Sequence, residues 1–171
     1  TQHEVGGWWD GNVVHPCKSK LDMTIVENII KNEKEDAPNY NAWWYSCIPM
    51  TKISNENLPL PIFIRYDDVE YGLRNMKHLL LLNGICVWHL PFEFKYSSSM
   101  FYYIFRNRLI DNAVHDKDYS AADFLRDFKE QFRREVFTLR YKNAQLLLDG
   151  VYDFYKGVDW LKEQDGEALN K

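Results

Sequence analysis

The sequence predicts a mixed α/β fold, with a few short strands in its first half and several long helices in its second. Two observations carry this. Up to about residue 96 the apolar runs are short and fenced by proline, glycine and asparagine, as in Leu60-Pro61-Ile62-Phe63-Ile64 and Ile85-Cys86-Val87-Trp88. Beyond residue 97 the apolar residues recur at helical spacing: Phe101, Ile104, Phe105 and Leu109, then Phe124, Leu125, Phe128, Phe132, Val136 and Leu139. No internal repeat or low-complexity stretch interrupts this order.

The elements follow in sequence. Residues 1–20 read as loop and short strand, with Gly6-Gly7 and Gly11-Asn12 as turn signals. Leu21–Ile30 has a partly helical spacing, and the charged stretch Lys31–Asp36 reads as a turn. Ala42–Ile48, apolar on both faces, reads as a buried strand closed by Pro49. One helical turn fits Thr51–Asn57. A clipped strand Leu60–Ile64 leads into Asp67-Asp68, from which a helix is predicted to run to Leu82 and stop at Asn83-Gly84. Ile85–Trp88 reads as a further buried strand, and Leu90–Tyr96 as loop. Ser97 and Ser98 are N-cap candidates for the next helix, and Ser120 with Asp123 for the one after it. A last helix covers Asn143–Tyr155 and halts at Gly157, leaving 158–171 as a frayed polar tail.

Composition narrows the function. With 171 residues, 46% of them hydrophobic, the chain can bury a real core. Its net charge of −4 argues against nucleic-acid binding. Three cysteines with no CxxC pair make a disulfide framework or a zinc site a poor reading, and a reducing, cytoplasmic setting is the expectation. The longest uninterrupted apolar run, Leu79–Leu82, is too short to span a bilayer. A start at Thr1 reads as a piece of a longer protein or a processed N-terminus. Aromatics make up 16% of the chain, as on surfaces that cover the C–H faces of sugars, though cores use the same side chains.

The chemistry centres on Asp67-Asp68-Val69-Glu70-Tyr71-Gly72-Leu73-Arg74. Asp67 suits an N-cap, with Glu70 three residues on to close a capping box. Glu70 and Arg74 stand one turn apart in the favourable acid-before-base order. Asp68 then falls in the first helical turn, where exposed N–H groups favour an anion. A second cap is superfluous there, so Asp68 is a candidate base. His89, closing an apolar strand, is a satisfied structural group or a metal ligand. Trp43 and Trp44, adjacent on a presumed strand, point to opposite faces, so at most one can stack on a sugar. Arg106 and Asn107 sit mid-helix, either within reach of phosphates or in a solvated or salt-bridged setting. Asp116-Lys117-Asp118 reads as a solvated turn, Asp10 is a weak site candidate, and His3, His15, His78 and His115 read as structural.

Taken together, Tyr40-Asn41-Ala42-Trp43-Trp44, Leu58-Pro59-Leu60-Pro61-Ile62-Phe63-Ile64, Asp67 to Arg74, Trp88-His89, and Tyr103 with Arg106-Asn107-Arg108 resemble family-2 inverting glycosyltransferases of the GT-A fold, in particular bacterial galactofuranosyltransferases. The resemblance implies Asp68 as the general base beside Asp67, and His89 completing a Mn²⁺ or Mg²⁺ site. It implies Trp44 and Trp43 at the acceptor, and Arg106 and Asn107, inside the matched stretch, stay candidates for the donor phosphates. The partners it implies are a nucleotide-sugar donor and a glycan acceptor, lipid-linked or not, with a location either free in the cytoplasm or peripheral at the inner face of the membrane. One departure stands out. No Asp-x-Asp follows an early strand, so the chain reads as one partial domain, 1–171, with an acceptor and catalytic part at 1–96 and C-terminal helices at 97–171. The nucleotide-binding half is expected upstream. The alternatives are a non-catalytic carbohydrate-binding module and a helical interaction module. A glycoside hydrolase fits poorly, because its two carboxylates flank the scissile bond from different elements.

Overall fold

The computed structural model describes residues 1–10, 13–34, 36–90, 94–95 and 97–169. Among these residues the chain is mixed α and β, as the sequence predicts: six α-helices and one two-stranded antiparallel sheet. It divides into two compact units, residues 1–59 with 68–95, and residues 60–67 with 96–171.

The first unit is built on a hairpin. Strands β1 (Gly7–Trp9) and β2 (Val14–Pro16) pair with Gly7 opposite Pro16, Trp8 opposite His15 and Trp9 opposite Val14. The turn signal Gly11-Asn12 lies outside the described residues. Asp10 secures the hairpin end, accepting from the Val13 N–H at 2.8 Å and meeting His15 Nε2 at 2.7 Å. On the other edge of β1, Gly7 exchanges two backbone hydrogen bonds with Tyr40. The Asn39 side chain continues this edge, accepting from Trp9 N–H and donating to Trp9 C=O as a strand residue would. Helix α1 (Val26–Asn32) starts later and runs further than its apolar spacing suggests. A 3₁₀ turn at Met50–Lys52 takes the place of the helical turn predicted nearby.

Helix α2 (Asp67–Asn75) begins where the sequence places it but stops eight residues before Asn83. The Asn75 side chain explains the stop. It donates to the Tyr71 carbonyl at 3.0 Å and accepts from Asn57 at 2.6 Å, competing with the backbone for the last turn. The pairing predicted between Glu70 and Arg74 forms. Glu70, 1% exposed, turns both carboxylate oxygens onto Arg74, at 2.8 and 2.9 Å, in the predicted one-turn pairing.

Two predicted strands of this unit do not form. From Ala42 to Ile48 only Ala42 is buried, and the backbone turns at Trp43-Trp44. Ile85–Trp88 forms no strand and lies exposed, with Trp88 90% exposed. A strand needs a ladder partner as well as apolar side chains, and the described residues offer neither segment one.

The second unit is helical. Helix α3 (Ser99–His115) is buried on several faces and packs along α5 (Tyr141–Tyr155). Gly150 permits the close approach, since a Cβ there would lie 2.9 Å from the Tyr102 carbonyl oxygen. The core of Phe105, Leu109 and Leu147 is flanked by Phe101, Tyr119, Phe124, Phe128, Val151 and Phe154. Helix α4 (Ala121–Phe137) opens with the predicted Ser120–Asp123 capping box. Ser98 precedes α3 without a side-chain cap. The tail is not simply frayed: Gly157, at φ +86°, turns the chain into α6 (Gly157–Glu163), which buries Leu161.

The predicted strand Leu60–Ile64 is instead an irregular loop around a fully buried Ile62. Phe63, Arg65 and Tyr66 all take positive φ (73°, 69° and 66°), each costing roughly 1–2 kcal/mol. The compensation comes from α3. Arg106 Nη2 donates to Ile62 C=O at 2.9 Å, and the Asn107 amide nitrogen reaches the carbonyls of Ile62, Ile64 and Arg65 at 3.1, 2.8 and 2.8 Å. These bonds do the work that a neighbouring strand would have done. No described helix is long and apolar enough to cross a membrane.

Candidate active site

Asp68 sits in the first turn of α2, where the sequence put it. Its Oδ2 accepts from the Tyr40 hydroxyl at 2.7 Å and its Oδ1 from the Val69 N–H at 2.9 Å. Tyr40 is itself buried and tied to β1, so the hairpin and the helix meet at this carboxylate. Asp67 is the half-buried first residue of the same helix.

His89 lies in the same unit. Its Nδ1 is 2.7 Å from the Leu90 carbonyl, so Nδ1–H donates, and in the neutral ring Nε2 is then the acceptor nitrogen. That is the tautomer a metal-binding imidazole presents. The Trp44 indole stacks on this ring, centroids 4.3 Å apart and planes 16° from parallel, and His3 meets it edge-on at 5.7 Å.

Glu4 joins these groups, and sequence reasoning did not single it out. Its side chain is 16% exposed and its Oε2 lies 3.9 Å from His3 Nε2. Burial pushes its carboxyl above the usual value. The His3 charge opposes that rise, the Asp68 charge adds to it, and the Trp44 indole and the His89 charge pull it back. Asp68, Trp44 and His89, from three separate sequence motifs, therefore act on one acid near the N-terminus. The only early signal was the pair His3-Glu4 itself, because its partners lie 40 or more residues away in the chain.

The two tryptophans divide their roles. Trp43 packs edge-on against buried Tyr71, with centroids 5.5 Å apart, while Trp44 is 42% exposed. A turn, not a strand, separates their directions. Arg106 and Asn107 belong to the other unit, buried among Ile62, Tyr102 and each other. Asp116 accepts from the Asp118 N–H at 3.0 Å in an exposed turn.

The metal expectation meets a limit here. Among the described residues no group of three His, Cys, Asp or Glu is arranged to hold a metal ion. His89 offers one nitrogen, and an ion bound to it would draw its other ligands from elsewhere.

Comparison with known proteins points to one class of enzyme: the chain resembles glycosyltransferases. It is similar to galactofuranosyltransferase GlfT2 of Mycobacterium tuberculosis, at 29% identity over 128 residues, 71% of this chain and 20% of that protein. It is equally similar to galactofuranosyltransferase GlfT2 of Mycolicibacterium smegmatis, at 29% over 126 residues, 71% of this chain and 19% of the relative. The chain thus spans about a fifth of the length of the curated relatives it matches. No family model matches it, and no solved structure does.

Proposed function

We propose that this chain is the acceptor-side portion of an inverting glycosyltransferase of the GT-A type, with Asp68 as general base. The observation that supports it best is the stacking of exposed Trp44 on His89 in the unit that carries Asp68, beside the similarity to galactofuranosyltransferases. In this reading Asp68 takes the proton of an acceptor hydroxyl as that O–H bond breaks. The oxygen then forms a bond to the anomeric carbon of the donor sugar. The bond from that carbon to the diphosphate breaks, its electron pair leaving with the nucleoside diphosphate. One displacement inverts the anomeric centre.

Trp44 gives a flat apolar face to the acceptor sugar, and Trp43 supports it from the fold. His89 would hold Mn²⁺ or Mg²⁺, which neutralises charge on the leaving diphosphate when bound. The sugar suggested by the relatives' name is galactofuranose, and in this reading it passes from a nucleoside-diphosphate donor to a glycan acceptor of a bacterial cell-surface polysaccharide. The test is the Asp68→Asn protein, assayed for sugar transfer and for nucleotide binding in parallel. Loss of transfer with binding kept supports the assignment, and normal turnover overturns it.

A further inference from the structure

Tyr40 is held more firmly than a core aromatic needs to be. Its backbone N–H and C=O both pair with Gly7, at 3.2 and 2.8 Å, which fixes its Cα against β1. Its ring lies in a slot left by that glycine: a Cβ at Gly7 would come within 3.0 Å of Tyr40 Cδ1 and 2.9 Å of Val14. On the opposite edge a Cβ at Gly72 of α2 would lie 3.9 Å from Cδ2. The residue is 6% exposed, so the hydroxyl has little freedom of direction, and it ends 2.7 Å from Asp68 Oδ2.

From this geometry we infer that Tyr40 is a positioning residue for Asp68, fixing the carboxylate's rotation so that its remaining lone pairs face the acceptor. The inference rests on the reading of Asp68 as the base. A carboxylate has about four lone-pair directions. The Tyr40 hydroxyl and the Val69 N–H engage one on each oxygen. Without the hydroxyl, only a bond from the neighbouring residue of the same helix restrains the group among the described residues. The productive orientation then becomes one of several. An O–H donor to a carboxylate is among the stronger hydrogen bonds, so its removal is readable in the rate.

The experiment is a double-mutant cycle in the transferase that carries this chain, using Tyr40→Phe, Asp68→Asn and the pair. Tyr40→Phe removes one oxygen and keeps the ring. The expected result is a fall in kcat of roughly 10- to 100-fold with acceptor KM unchanged and the unfolding temperature kept. In the Asp68→Asn background the same substitution should do nothing further. Unchanged kcat, a change confined to KM, loss of the fold, or an added loss on top of Asp68→Asn would each overturn the positioning role. If Asp68→Asn itself keeps normal turnover, the base assignment fails instead, so the two failures are distinguishable.

Discussion

The Trp44 indole lies nearly flat on the His89 imidazole, and its neighbour Trp43 stands edge-on to Tyr71. Two adjacent residues of one type are thus assigned to two surfaces. Trp44→Ala should raise the acceptor KM by roughly 10-fold and alter kcat less, with a small change in stability. Trp43→Ala should do the reverse, lowering the unfolding temperature first. Steady-state kinetics with thermal unfolding of both variants checks this. Equal effects on KM would contradict the division.

Asn107 carries the 60–67 loop. One amide nitrogen serves three carbonyls of a segment with three positive-φ residues. Asn107→Ala leaves buried acceptors without a donor and should destabilise the protein by about 3 kcal/mol. Asn107→Asp, which aims a carboxylate oxygen at the same carbonyls, should be worse. Urea unfolding would show a lowered midpoint, and a shift within error would contradict the role.

The capping box of α4 gives a pH signature. The Ser120 hydroxyl and N–H, followed by Arg126, hold the Asp123 carboxyl down at about 2, from an ordinary 3.8. A folded value below the unfolded one stabilises the fold above the unfolded pKa, and that contribution disappears as pH falls through the folded one. Asp123→Asn should therefore be less stable than the parent above pH ~4, with the gap closing toward pH ~2. Chemical denaturation across that range reads it directly. A gap independent of pH would contradict it.

What the sequence made legible was local. The Ser120–Asp123 cap, the Glu70–Arg74 pair and the start of α2 each depend on residues within one turn, and the structure shows all three. The strands at 42–48, 60–64 and 85–88 were inferred from apolar runs, but a strand is defined by what it pairs with. In 60–64 the bonding went to Asn107 and Arg106, more than forty residues away. The end of α2 was missed for a similar reason, because Asn75 is bonded to Asn57. At the candidate site, Asp68, Trp44 and His89 were readable as motifs. Glu4 and the Tyr40 hydroxyl were not, since their importance lies in contacts across the fold.

The central claim concerns one oxygen pair on Asp68. The most direct measurement is the single-turnover transfer rate of Asp68→Asn, taken beside its affinity for the nucleotide donor. The account predicts a fall of roughly 10²- to 10⁴-fold in rate with donor affinity unchanged. Transfer at the parent rate would contradict it.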